Sequence, residues 1–448
     1  MTAEEFMPEK LKKVLVYGRG VSGRGACLAL KTKGIKCVIR DGDEYVNDKN
    51  NYDAVVVSPG IRPDHPIFKK YAGKIISELD LGAIFAGKPY FAITGTNGKT
   101  TAAELAGRLL GAKYKTRVTG NIGESFALDA LSDYEAFVVE ASSFQLNSSR
   151  IFAPHVAAIL NITPDHLDYH GNMYAYAKAK LNIAARQTEN DYLILSADDL
   201  PIGLLSDFCP KSKVLYTSVR GKTEGAYLED GKIFWLGEKV CSRHDIPLKG
   251  LHNVANALAA IAIAKIAGIS NDEIIGSLAG YVQDDHRVKY VCAVKGVAFY
   301  DDSKGTNVAA TLKAMDCMTG SYALIAGGSD KGYEYDELFT ACSRLPEKVT
   351  AIGETAEKIV AAAHRHGYHS VEKCASLEYE SFSATSFTLK PLRKSSFAFS
   401  SFSSAKAVIT DLFAYFLNTA LIYGTEKYVA SEISASVIFS SIRLLKNS

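Results

Sequence analysis

Along the first ninety residues the apolar positions switch between two patterns. Short continuous apolar runs, "KVLVYG", "KCVIRD" and "YDAVVVSPG", mark strands buried on both faces, and "SGRGACLALKTKG" between the first two is spaced as a helix. Strand, helix and strand in that order predict a parallel sheet of the doubly wound kind. A second series starts near Pro89 with "YFAIT" and continues through "EAFVVEASSFQL", "VAAILNITPDHLDYHG", "DYLILSADD" and the helix "LHNVANALAAIAIAKIAG". A third begins near Gln283 with "HRVKYVCAVKGVAFYDDSKGTN", followed by "YALIAGGSDKG" and "KVTAIGE". The expectation is an α/β chain of three consecutive domains with mainly parallel sheets, at residues 1–89, 90–282 and 283–448.

The rhythm stops near the end. From about Ser381 the chain is dense in serine and phenylalanine and lacks the glycine turns that punctuate everything before it. Phe382, Phe387, Phe397, Phe399 and Phe402 follow neither the two-residue nor the 3.6-residue period. Irregular structure is expected over 381–404 and a helix over 405–423. The apolar run in that helix carries Asp411 and Asn418 and is too short and too polar to span a membrane.

Composition narrows the partners. A chain of 448 residues, 47% hydrophobic and 22% charged, with a formal net charge of +2, gives no electrostatic reason to expect nucleic acid or an anionic membrane surface. A small molecule is the expected partner. The opening "MTAEEFMPEKLKK" lacks the apolar core of a signal peptide, and the eight cysteines are scattered without a C-x-x-C pair. Both features predict a cytoplasmic protein with free thiols.

Two glycine turns carry the first chemistry. Gly18-Arg19-Gly20-Val21-Ser22-Gly23 follows a strand and precedes a helix, and Asp41 ends the next strand, which suits a dinucleotide or a nucleotide diphosphate, or a glycine turn kept for packing alone. "AITGTNGKTTAAEL" is a phosphate loop without its usual first glycine: position 93 is Ile93 and the nearest upstream glycine is Gly95. Gly95, Asn97 and Gly98 let backbone N–H groups converge on phosphate, Lys99 supplies a point charge, and Thr100 is placed to ligate Mg²⁺. Glu140 stands at the carboxyl end of "AFVVE", as a functional carboxylate or a solvated strand end. "NITPDHLDYHG" clusters Asp165, His166, Asp168 and His170, where Mg²⁺ or Mn²⁺ contact competes with helix capping by Asp165. Lys178 and Lys180 lie in a helix whose apolar neighbours suggest partial burial, and Asn253 and Asn256 share a face of the helix that follows His252.

Taken together, "TGTNGKTT", "EASSFQL", "NITPDHLDYHG", "AKAKL", "LHNVANALAA", "DHRVKYV", "DDSKGTN" and "GGSDKG" resemble the Mur ligase family, ATP-dependent ligases that join an amino acid to a UDP-linked muramic acid precursor. The shortened phosphate loop is that family's form. The resemblance runs from about Leu11 to Cys374 and is nearest to the branch that adds D-glutamate to UDP-N-acetylmuramoyl-L-alanine. It implies that Gly18, Gly20, Val21, Ser22, Gly23, Asp41 and Ser58 bind the UDP of the precursor, with no nicotinamide cofactor. Asn121, Ser142 and Gln145 would position the muramoyl-alanine end.

For ATP the resemblance implies Gly95, Thr96, Asn97, Gly98, Lys99, Thr100 and Thr101, with Asn253, Asn256, Arg287 and Asp302 completing the site. Two Mg²⁺ ions would be held by Thr100, Glu140, His166 and Lys180, the last as a carbamate formed from CO2. Lys304, Thr306 and Lys331 would orient D-glutamate. Lys99, Lys180, His166, Lys304 and Lys331 form the implied catalytic set, in a monomer. The tail departs from the family: no serine- and phenylalanine-bearing segment of the expected kind follows Ser376, so a frameshift near Leu377 or a divergent end is expected to weaken D-glutamate binding. The competing expectations are another ligase of this type, such as a folylpolyglutamate synthetase, which would lack residues 11–89, and a non-catalytic precursor-binding protein.

Overall fold

The computed structural model describes residues 6–200, 208–248, 250–281, 288–294, 297–302, 305, 307–318, 320–330 and 332–374, and the backbone of 396–399 and 435–441. The chain divides into two compact units, Met1–Val282 and Gln283–Ser448.

The first unit holds two sheets. Strands β1 (Lys13–Tyr17), β2 (Lys36–Arg40), β3 (Ala54–Val57) and β4 (Ile75–Ile76) form a parallel sheet in the order β2-β1-β3-β4. Helix α1 (Val21–Thr32) follows β1, and α2 (Pro66–Lys70) and α3 (Glu78–Ala86) flank β4. The alternation of side chains along each strand sends Val14 and Val16 of β1 to one core and Leu15 and Tyr17 to another. Continuous apolar runs such as "AVVV" are therefore needed, since both faces are covered.

The second sheet carries the phosphate loop. Its strands are β5 (Tyr90–Thr94), β6 (Thr116–Gly120), β7 (Ala136–Glu140), β8 (Val156–Ile159), β9 (Tyr192–Ser196), β10 (Lys213–Ser218), β11 (Gly225–Glu229), β12 (Lys232–Trp235) and β13 (Glu238–Ser242), in the order β13-β12-β11-β10-β9-β8-β5-β7-β6. The strands are parallel up to β11, and β12 and β13 return antiparallel. Strand order reverses around β5, so the loop after β5 lies between the ends of β7 and β8, the crevice where open α/β sheets bind ligands. Helices α4 (Lys99–Leu110), α5 (Phe126–Asp129), α6 (Ser143–Asn147), α7 (Leu167–His170), α8 (Met173–Leu181) and α9 (Leu251–Ile266) pack around this sheet. One apolar cluster joins the two sheets: Val14, Val16, Ala54 and Val56 share it with Ala92, Phe137, Val139 and Ile159.

The second unit is one sheet of β14 (Lys289–Val294), β15 (Val297–Asp302), β16 (Tyr322–Gly327), β17 (Lys348–Ile352), β18 (Val371–Cys374), β19 (Ser396–Phe399) and β20 (Ala435–Ser441), in the order β14-β15-β19-β20-β16-β17-β18. Only β14 with β15 is antiparallel.

Two expectations are corrected. Ser396–Phe399 lies inside the stretch expected to be irregular, yet it pairs in parallel with β15 and β16, because a sheet open between those strands offers backbone partners whatever the side-chain period. The expected helix over 405–423 lies outside the described residues. The cysteines are not all free thiols: Cys27 of α1 and Cys37 of β2 form a disulfide, with Cα atoms 5.7 Å apart, since the helix packs its Cys27 face on the neighbouring strand. Cys209, Cys241 and Cys342 are free thiols.

Candidate active site

The phosphate loop is held from the end of β8. Asn161 mimics a neighbouring strand: its Oδ1 accepts Asn97 N at 2.8 Å, its Nδ2 donates to Asn97 O at 3.0 Å, and its carbonyl accepts Thr96 N at 3.0 Å. Thr96 Oγ1 donates to Thr163 O at 3.1 Å, accepts Thr163 N at 3.0 Å and lies 3.0 Å from Tyr176 Oη of α8. The loop therefore keeps its shape through its own scaffold. Gly98 caps α4 at φ +84°, and its Cα faces the Asn256 side chain so closely that a Cβ would collide with it. Only glycine meets both demands.

Around that loop the polar groups converge. Thr100 Oγ1 donates to Glu140 Oε2 at 2.9 Å, and Asn121 Nδ2 donates to Glu140 Oε1 at 2.8 Å. Glu140 is buried, so it is not a solvated strand end. Lys99 Nζ donates to Gly95 O at 2.8 Å and Thr96 O at 2.9 Å, and Lys180 Nζ reaches the same Gly95 O at 2.8 Å. Lys180 is 2% exposed and lies 4.8 Å from the centre of the Tyr176 ring. Burial pushes its amine well below the usual lysine range, and the like charge of Lys99 adds to the shift. Lys178, expected to share this partial burial, is exposed, because it falls on the opposite side of α8. Thr101 is buried in the first turn of α4.

His166 takes a left-handed backbone, φ 54°, at the start of α7, an uncommon position for a residue with a side chain. Asp165 Oδ1 accepts His166 N at 2.9 Å, and Asp165 Oδ2 lies 3.5 Å from His166 Nε2. The Phe144 ring packs on the His166, Tyr169 and His170 rings, and His170 Nε2 lies 3.0 Å from Ser143 Oγ. Burial holds the His170 imidazole down at about 4, helped by the charges of His166 and Lys180. Among the described residues no three His, Cys, Asp or Glu side chains form a ready metal cage. Asp168 is exposed.

Asn253 does not cap α9, a place taken by Gly250; it is buried, and its Oδ1 accepts Asn256 Nδ2 at 3.3 Å. Ser142 caps α6, and its N–H and hydroxyl both donate to Gln145 Oε1, at 3.0 and 2.9 Å.

A second set of groups gathers at the carboxyl ends of β1, β2 and β3. Gly18, at φ +107°, packs on Ser58, and Gly23 packs on Gly18 O, so a Cβ at either glycine would collide. Ser58 Oγ donates to Gly18 O at 3.4 Å. Gly20 begins α1, with Val21 exposed and Ser22 half-buried behind it, and Asp41 accepts Gly42 N at 3.0 Å to cap the next turn. In the second unit Asp302 ends β15, and its Oδ1 accepts Val288 N at 3.2 Å. Arg287, Lys304, Thr306 and Lys331 lie outside the described residues.

A profile of the Mur ligase middle domain matches residues 93–264, the span that contains the loop and its scaffold. The UDP-N-acetylmuramoylalanine--D-glutamate ligase of Bacillus mycoides is 36% identical over 397 residues, which covers 82% of this chain and 88% of the relative. The chain belongs to the Mur ligase family. The fold agrees with that membership. The MurF ligase of Thermotoga maritima, solved with ADP, superposes with a TM-score of 0.56 at 16% identity, over 97% of this chain and 92% of its own. MurF of Acinetobacter baumannii gives 0.56 at 16% identity, over 97% and 89%.

Within this Mur ligase, Asn161, Thr163 and Tyr176 are the residues that sequence reasoning missed. The signal for Asn161 and Thr163 was present in the "NIT" that opens the histidine motif, but its meaning depends on β8 lying beside β5, which only the sheet order reveals; Tyr176 comes from α8. No helix among the described residues is long and apolar enough to cross a membrane.

Proposed function

We propose that this Mur ligase joins D-glutamate to UDP-N-acetylmuramoyl-L-alanine with cleavage of ATP to ADP and phosphate. The observation that carries the reading is the phosphate loop with Thr100 bound to Glu140 and Lys180 buried beside it, in a chain whose matched relatives are named for that reaction. A carboxylate resists attack by an amine. One carboxylate oxygen of the precursor therefore first bonds to the terminal phosphorus of ATP as ADP leaves. The D-glutamate nitrogen then bonds to the acyl carbon, loses a proton, and phosphate departs.

Lys99 and the N–H groups of Gly98 to Thr101 hold the terminal phosphates, whose charge builds in both steps, while the N–H groups of Thr96 and Asn97 are taken by Asn161. Asn253 and Asn256 take the adenine side of the nucleotide. The Thr100 hydroxyl and Glu140 carboxylate are hard oxygens beside the loop and fit Mg²⁺ or Mn²⁺. Bound there, the ion neutralises phosphoryl charge. His166 and Lys180 suit a second ion once the Lys180 amine has added CO2 and released a proton, which replaces a buried amine by two oxygen donors. The turns at Gly18–Gly23, Asp41 and Ser58 take the UDP, while Asn121, Ser142 and Gln145 orient the muramoyl-alanine end. Lys304, Thr306 and Lys331 bind D-glutamate, whose side-chain carboxylate lacks the family's usual closing segment after Ser376.

Phosphate release on mixing ATP, Mg²⁺, UDP-N-acetylmuramoyl-L-alanine and D-glutamate tests the proposal. Release that requires all four, with a raised Michaelis constant for D-glutamate, is expected. Precursor binding without release at any D-glutamate concentration would favour the non-catalytic reading instead.

A further inference from the structure

The two candidate sites of the first unit are joined by side chains that cross between α7 and the turn after β3. Tyr169 of α7 donates its hydroxyl to Ile61 O at 2.9 Å, with Pro59 O at 3.4 Å, so it grips the turn that begins at Ser58. Arg62 Nη1, next along that turn, donates back to Asp168 O at 3.1 Å. Ser58 is itself tied to β1 by Ser58 N donating to Tyr17 O at 2.9 Å and by its hydroxyl bond to Gly18 O. On the other side, Tyr169 N donates to His166 O at 3.1 Å, and the Tyr169 ring packs on Phe144 at 4.5 Å, which packs on His166 at 4.7 Å.

We propose that Tyr169 is a positioning residue that couples occupancy of the Gly18–Ser58 turn to the placement of His166. The inference rests on the functional reading above. An anion held at Gly18 and Ser58 fixes the Ser58–Ile61 turn, the turn fixes the Tyr169 hydroxyl, and the ring and backbone of Tyr169 hold His166 in its left-handed conformation. A left-handed non-glycine residue persists only where its surroundings determine it, and these contacts supply that constraint. Coupling of this kind is reciprocal: precursor tightens metal nucleotide, and metal nucleotide tightens precursor by the same factor.

Calorimetry of UDP-N-acetylmuramoyl-L-alanine binding, with and without saturating Mg²⁺ and a non-hydrolysable ATP analogue and without D-glutamate, measures the factor. Wild-type protein should bind precursor about three- to tenfold more tightly with the nucleotide present, the range set by one neutral hydrogen bond. Tyr169→Phe keeps the ring and removes the hydroxyl, so its factor should fall to about one while precursor binding alone changes far less. A phenylalanine variant with the wild-type factor, or a wild-type factor of one, would overturn the inference and leave the functional reading standing. Failure of wild-type protein to bind precursor at all would overturn both. Arg62→Ala gives an independent check if the phenylalanine variant folds poorly, and it too should lower the factor.

Discussion

Replacing Glu78 by glutamine should stabilise the first unit increasingly as pH rises from about 4.5 to about 7. Glu78 opens α3 and is fully buried against α5; its Oε1 accepts Ala127 N at 2.7 Å, whereas its Oε2 is buried with no hydrogen-bond partner among the described residues. Burial raises its carboxyl to about 7 from an ordinary 4.5, with smaller pushes from Asp129 and Asp80, against the pull of Ala127 N–H and the Ser125 hydroxyl. The folded state thus holds its proton over a range where the unfolded chain has lost it. Stability falls as pH rises from about 4.5 to about 7 and stays at its lower value above that. At 1.36 kcal/mol per unit, the loss is about 3 kcal/mol.

Glutamine keeps the acceptor for Ala127 and cannot ionise, so Glu78→Gln should nearly match the wild type at about pH 4 and exceed it by about 3 kcal/mol at about pH 8.5. Trp235, the single tryptophan, is buried in β12 of the same unit and reports its unfolding by fluorescence. With a urea slope of about 4 kcal/mol per molar for a unit of this size, the midpoints should differ by about 0.7 M at pH 8.5. All other groups titrate alike in both proteins, so equal midpoint differences at the two pH values would refute the assignment of an elevated Glu78.

Other substitutions probe separate parts of the first unit. Asp80 accepts Ser149 Oγ, Ile151 N and Phe152 N on Oδ1, and Ser77 N and Arg150 N on Oδ2. Asp80→Asn must turn an amide NH2 towards at least two donors and should cost about 3 kcal/mol or more, read as a lower urea midpoint. Lys99→Ala should slow ligation by about 10²–10³-fold, the cost of about 3–4 kcal/mol in stabilising developing phosphoryl charge, while precursor affinity by calorimetry stays near the wild-type value. Lys180→Ala should be inactive and partly restored by a short carboxylic acid that fills the vacated space; an absence of rescue over a broad range of acid concentrations counts against a carbamate at this position.

The strands and helices of the α/β rhythm were legible because each buried strand is a continuous apolar run and each glycine turn follows one. "KVLVY", "AVVV", "YFAIT" and "AFVVE" all became strands, and the sixteen-residue helix Leu251–Ile266 matched its apolar stretch. The β11–β13 meander was missed although its turns were written plainly. Asp230-Gly231 and Leu236-Gly237 are two-residue loops with both residues at positive φ, the geometry that matches strand twist in hairpins. Asp230-Gly231 was readable; Leu236 at positive φ is not a choice that turn statistics anticipate. At the site, residue types and spacing marked Lys99, Thr100 and Glu140, since phosphate chemistry demands them next to particular elements. Asn161 and Tyr169 stayed hidden because their roles depend on which strand lies beside which, a long-range fact that local pattern does not carry.

The cluster shared by Val14, Val56, Ala92 and Phe137 has a bearing on ancestry. A linker between α3 and β5 looks like a seam at which one nucleotide-binding module could be exchanged for another by recombination. Because the inner faces of both sheets fill a single apolar interior, a transplanted first module would need side chains cut to the same shape as the ones it replaced. Under the proposed function, new precursor specificity is therefore more readily acquired by altering the turns at Gly18, Asp41 and Ser58, which lie at the strand ends outside that interior, than by swapping the module whole.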